Sequence, residues 1–196
     1  AWKNAEVDAL YRLAAAGVRV PEPCGYFDGV LVMELVTDAD GCPAPRLGEV
    51  ELTPARAREY HSFLVGQVVR MLCAGLVHGD LSEYNVLVDA AGPVVIDLPQ
   101  AVDAAGNNNA RAMLLRDVDN LAVTLGRFAP ELAGSRYGEE MWALYEQGLL
   151  TPATVLTGAY ADPESAPDLD ATLLAIEDAR EEAIRRRLGR EAADAP

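Results

Sequence analysis

Apolar residues recur at helical spacing along several stretches of the chain, separated by short apolar runs bounded by turn residues. Across residues 2–16, Val7, Leu10, Tyr11 and Ala14 recur on one helical face, and Gly17 supplies a stop. Pro21 and Pro23 then forbid helix and impose an extended segment. Asp28-Gly29 reads as a type I′ hairpin turn leading into Val30-Leu31-Val32-Met33-Glu34-Leu35-Val36, a run apolar enough to predict a buried strand. Thr53-Pro54 opens the longest predicted helix, with a side-chain cap and a proline at its first position. Tyr60, Phe63, Leu64, Val68, Met71 and Leu72 form its apolar stripe, His61 falls off that stripe as a surface residue, and Gly75 closes the helix. Two short β-branched runs, 86–88 and 94–96, flank Asp89-Ala90-Ala91-Gly92-Pro93 and predict a hairpin. Further helices are predicted over 110–128, 138–147 and 169–187. The pattern is that of an α+β domain.

The chemistry-bearing residues interrupt this pattern at one place. The long helix leads into Leu76-Val77-His78-Gly79-Asp80-Leu81-Ser82-Glu83-Tyr84-Asn85, and the next hairpin ends on Val95-Ile96-Asp97. Phosphoryl transfer from ATP needs an acid to orient the attacking hydroxyl and oxygen ligands to hold Mg²⁺ across the phosphates. An Asp, an Asn five positions later and an Asp closing the following strand supply that set. Asp80 is therefore the candidate base, and Asn85 and Asp97 are the candidate Mg²⁺ ligands. An isolated loop Asp or Asn is ordinarily a turn or cap residue; the conjunction of spacing and flanking strands favours the catalytic reading.

Charge and composition narrow the partners. With 31 acidic against 16 basic residues the net charge is −15, which disfavours nucleic-acid phosphate and anionic membrane surfaces. No apolar run approaches the roughly 20 residues of a membrane helix, and the first residues do not resemble a signal peptide. Cys24, Cys42 and Cys73 form no C-x-x-C pair, which fits reduced thiols and a cytoplasmic location. The basic run Arg185-Arg186-Arg187 follows Glu181-Glu182 and reads as a charge-paired helix surface.

His78-Gly79-Asp80-Leu81-Ser82-Glu83-Tyr84-Asn85, together with Ile96-Asp97-Leu98-Pro99-Gln100, resembles the RIO family of atypical serine/threonine protein kinases. The resemblance extends upstream to Trp2, Glu6, Leu10 and Pro21-Glu22-Pro23, and downstream to Leu115-Arg116-Asp117-Val118. It implies a protein-kinase-like two-lobed fold: a partial N-lobe over 1–36, a hinge and linker over 37–52, and a mainly helical C-lobe over 53–196. It further implies ATP and Mg²⁺ as cofactors, Asp80 as catalytic aspartate, Asn85 and Asp97 as metal ligands, and Asp97 as a transient phosphoryl acceptor. By the same resemblance Asp117 matches the family acid that anchors the catalytic loop from the following helix, while Met33, Glu34 and Val36 match the gatekeeper and hinge positions. Glu6 is either a favourable charge at a helix N-terminus or the helix acid that pairs with a strand lysine. The implied partners are a protein substrate, or the chain itself in autophosphorylation, and components of ribosome maturation.

Two departures matter. Gly79 stands where most protein kinases carry arginine, which removes the usual receptor for a phosphorylated activation loop. Neither a glycine-rich loop nor a strand lysine precedes Glu6 in these 196 residues, so poor turnover is expected of them alone. Aminoglycoside- or choline-type phosphotransferases also carry His-Gly-Asp-Leu, but Glu83-Tyr84-Asn85 and Leu98-Pro99-Gln100 argue against them. A non-catalytic nucleotide-binding scaffold is the other alternative. Ala129-Pro130-Glu131 follows a whole predicted helix and is a chance match to the motif that ends an activation segment.

Overall fold

Helix α1 (Trp2–Ala15) stops where Gly17 adopts a φ of +74°, a left-handed conformation that glycine enters without strain. The chain then pairs Pro23–Phe27 (β1) with Val30–Met33 (β2) through Asp28 and Gly29, both at positive φ as a type I′ turn requires. Helix α2 (Pro54–Cys73) begins at Thr53, whose hydroxyl accepts the Arg56 N–H at 3.2 Å, and is followed by Gly75 at φ +76°. Leu76–Val77 (β3) leads to the hairpin of Val86–Asp89 (β4) and Gly92–Val95 (β5); Val102–Asp103 (β6) returns to pair with β3. Helices α3 (Ala110–Gly126) and α4 (Tyr137–Glu146) complete the order.

The structure is a computed structural model that describes residues 2–161. The chain divides into two units, of which the first runs to Tyr160. The helix expected over 169–187, with its arginine run, lies outside the described residues. The first unit is a mixed α+β domain: its helices share one apolar core with small antiparallel sheets, each of two strands. Leu64, Met71 and Leu72 of α2, Leu114 and Leu121 of α3 and Met141 of α4 are all essentially inaccessible to solvent.

Arg19 fixes the β4–β5 hairpin against the helices. Its N–H donates to Gln67 of α2 at 2.7 Å, its carbonyl accepts from Val95 at 2.9 Å, and its guanidinium meets Asp89 at 2.5 Å. Desolvation raises the Asp89 carboxyl, but the Arg19 contact and the Ala91 and Gly92 N–H groups outweigh it and hold it below its ordinary range.

Several expectations are corrected. The run 30–36 is not one buried strand: β2 ends at Met33, and Val30 and Leu35 are 62% and 71% exposed. A two-stranded sheet has no neighbour on its outer side to cover these side chains. His61 is 2% exposed, not a surface residue, because α2 is buried on more than one face, with Val65 and Val69 also inside. Phe63 (36%) and Tyr11 (44%), both assigned to apolar stripes, are instead exposed.

Candidate active site

Strand β3 delivers His78 into the interior, where it is 2% exposed. Its Nε2 lies 3.0 Å from the Ile96 carbonyl, which can only accept, so Nε2 carries the proton. Nδ1 is then free to accept the Asp80 N–H at 3.3 Å. Gly79, between them, has a φ of +84°; a Cβ there would lie 2.7 Å from the Gln100 carbonyl and 2.5 Å from Met113. The glycine is a steric requirement, and it also explains why no arginine occupies this position.

Asn85 is 9% exposed, and its side-chain amide donates to the Asp80 carbonyl at 2.8 Å and toward the Asp80 carboxylate at 3.4 Å. A carbonyl acceptor fixes the amide orientation: Nδ2 must face Asp80, so Oδ1 is turned away from it. The backbone of Asn85 closes a turn on Ser82 (3.0 Å) and accepts the Ile96 N–H at 3.0 Å. Ile96 is thus tied to both His78 and Asn85, and Asp97 is the next residue. Asp97 stands at φ +67°, a left-handed pose that costs a non-glycine residue energy, Asp less than most.

The remaining expected residues fall in two places. Glu6 and Met33 line a narrow recess of about 20 Å³ with Leu10, Leu31, Ile96 and Asp97, so helix α1 and strand β2 reach the same wall as the second acid. Glu34 and Val36 lie beyond β2, outside that recess. The Glu34 N–H donates to Glu22 at 2.9 Å and the Val36 carbonyl accepts from Ala44 at 3.0 Å. Among the described residues, the Glu34 carbonyl and the Val36 N–H take no hydrogen bond.

Helix α3 holds the 79–83 loop from beneath. Asp117, 1% exposed, accepts the N–H groups of Gly79 (2.7 Å) and Leu81 (2.9 Å). Burial pushes its carboxyl up from the ordinary range, while those two N–H groups and the Arg116 guanidinium pull the other way. Arg116 donates to the Gly79 carbonyl, and Asn120 Nδ2 to the Leu81 carbonyl at 3.0 Å. Thr124 Oγ1 donates to Glu83 at 3.0 Å. Sequence reasoning singled out only Asp117 from this set. The signal for Asn120 and Thr124 is the polar spacing 117, 120, 124 on one face of the helix.

The donor set suits Mg²⁺. Among the described residues no three His, Cys, Asp or Glu side chains gather into a cage. Mg²⁺ needs none, since it binds through one or two carboxylates, other oxygens and substrate phosphates. Asp97 and the Oδ1 of Asn85 are hard oxygen donors of that kind.

Comparison with protein-family models matches residues 1–136 to the RIO domain. The chain belongs to the RIO domain family. Within this RIO domain, 124 residues are 47% identical to the RIO-type serine/threonine-protein kinase Rio1 of Haloferax volcanii, covering 62% of this chain and 41% of that protein. The RIO-type serine/threonine-protein kinase Rio1 of Thermoplasma acidophilum is 36% identical over 121 residues, 62% of this chain and 61% of its own. The human serine/threonine-protein kinase RIO1 is 39% identical over 103 residues, 52% of this chain and 18% of its own. The matched stretch thus spans less than two thirds of each relative. No helix among the described residues is long and apolar enough to cross a membrane.

Proposed function

We propose that this RIO domain catalyses Mg²⁺-dependent transfer of the ATP γ-phosphoryl group, to a serine of a protein substrate, to the chain itself, or to water. The observation that carries the reading is the junction of Asp80, Asn85 and Asp97 through the Asp80–Asn85 hydrogen bonds and the shared Ile96. Asp80 accepts the proton of the attacking hydroxyl; its N–H is held by His78 and the N–H groups on either side of it by Asp117, so its carboxylate needs little reorganisation. Asn85 Oδ1 and the Asp97 carboxylate would hold Mg²⁺, which when bound neutralises charge on the phosphates. Asp97 is also the candidate transient phosphoryl acceptor. Met33 limits the depth of the nucleotide cleft, while the Glu34 carbonyl and Val36 N–H, one acceptor and one donor, are suited to an adenine edge. Glu6 lines the same recess and is the candidate partner of a phosphate-binding lysine. The names of the relatives support a serine/threonine substrate, three cysteines without a C-x-x-C pair are compatible with a cytoplasmic setting, and ribosome-maturation components are candidate partners by resemblance.

The test is Asp80→Asn, assayed for ATP turnover, autophosphorylation and Mg·ATP affinity. Turnover is expected to fall about 100-fold or more while nucleotide affinity stays within about threefold, because the lost group acts on the moving proton. Turnover equal to that of the parent chain would overturn the assignment of Asp80.

A further inference from the structure

Between Asp80 and Asn85 the loop makes a four-residue turn, closed by the Asn85 N–H on the Ser82 carbonyl at 3.0 Å. Its two central residues have opposite fates. Tyr84 is 61% exposed, whereas the Glu83 side chain turns inward and is gripped from three sides. One carboxylate oxygen accepts from Thr124 Oγ1 at 3.0 Å, and Thr124 is itself 3% exposed, so the hydroxyl is aimed from within the fold. The other carboxylate oxygen faces the Arg127 guanidinium at 3.7 Å. The Glu83 carbonyl accepts the Gly48 N–H at 3.2 Å, and a Cβ on Gly48 would lie 2.9 Å from Glu83 Cγ, so the 47–49 segment approaches as closely as glycine permits.

We propose that Glu83 is a positioning residue, whose carboxylate, latched to Thr124 and Arg127 of the α3 end, sets the 82–85 turn and through it the direction of the Asn85 amide. The inference rests on the reading of Asp80 and Asn85 given above. Glu83 is partly buried, its side chain 24% exposed, and its two partners lie 41 and 44 positions away along the chain. Such an arrangement fixes a geometry; a leucine would fill the space with less desolvation. The geometry it fixes is that of a side chain two residues on, whose Nδ2 must stay on the Asp80 carbonyl for Oδ1 to stay turned away from Asp80. Releasing the latch lets the turn rotate and the amide swing, while the apolar core of α2 and α3 is untouched.

Hydrogen exchange of the full chain tests this in the parent and in Glu83→Ala, Glu83→Gln and Thr124→Val, alongside Mg²⁺-dependent binding of a non-hydrolysable ATP analogue. Glu83→Ala and Thr124→Val are expected to speed exchange at the Asn85 amide about tenfold, with α2 protection unchanged. They are also expected to weaken the Mg²⁺ dependence of analogue binding by about 10- to 100-fold, leaving metal-free binding as it was. Glu83→Gln keeps an acceptor for Thr124 and should stay near the parent in both. Unchanged Asn85 exchange in Glu83→Ala, or a rise spread evenly through α2 and α3, would overturn the proposal by making Glu83 inert or a general brace. A parent chain with no Mg²⁺-dependent analogue binding would instead overturn the phosphoryl-transfer reading, and the exchange data would still decide the latch.

Discussion

His61 shows how one residue links burial to a measurable pH response. It is enclosed between α2 and the Tyr137 ring, whose centroid is 5.4 Å away, and its Nε2 finds no hydrogen-bond partner among the described residues. Burial lowers its pKa from the ordinary 6.5, because the charged ring would lose its hydration. The unfolded chain then binds more protons than the folded one as pH falls below 6.5, so this residue subtracts stability on acidification and does so between 6.5 and its folded value. His61→Leu is expected to flatten the loss of stability as pH falls below about 6.5, measured by urea unfolding. An unchanged pH slope would show that the imidazole already charges freely in the fold. None of this was legible from the spacing of α2, since a histidine one step off an apolar stripe is indistinguishable from a surface one until the second packing face is known. The juxtaposition of Asp80 and Asn85 was legible because it depends on a five-residue separation along the chain, which the sequence preserves. Asp97 at φ +67° was not, since Leu98-Pro99 constrains the residues after it and does not report its own dihedral.

At the scale of elements, α3 acts as a template for the loop above it. Gly79, Leu81 and Glu83 meet Asp117, Asn120 and Thr124 in turn, so a helical rise along α3 is matched to alternate residues of an extended loop. Removing the first member is expected to be costly. Asp117→Ala would leave two buried N–H groups without acceptors and should destabilise the domain by about 3 kcal/mol, read from the urea midpoint at constant slope. A loss below about 1 kcal/mol would mean that water replaces the carboxylate and that the loop is not held this way. Helix ends and the 89–93 hairpin were readable from caps, prolines and glycines, because those signals are local. The extent of β2 was not, because whether an apolar run is buried depends on which strands lie beside it. Nor was the short β3–β6 pairing, which is fixed by the return of the chain after Asp97.

For the molecule as a whole, the first unit brings two separate contributions to one place. Helix α1 and strand β2 supply Glu6 and Met33 to the recess, while α2, β3 and the β4–β5 hairpin carry the acids and Asn85. The fold class and the order of elements followed from periodicity, and the RIO motifs identified the family, because both survive in one dimension. The support of the loop by residues 116–127 needed three dimensions. The central claim is that Asn85 and Asp97 share one divalent cation close to Asp80. It is tested most directly by adding Mn²⁺ and a non-hydrolysable ATP analogue to the ¹⁵N-labelled chain and following the amide signals. The account predicts selective paramagnetic broadening of residues 79–86 and 96–98, with α4 spared, and its loss in Asp97→Asn. Broadening centred elsewhere, or persisting at those residues in Asp97→Asn, would contradict it.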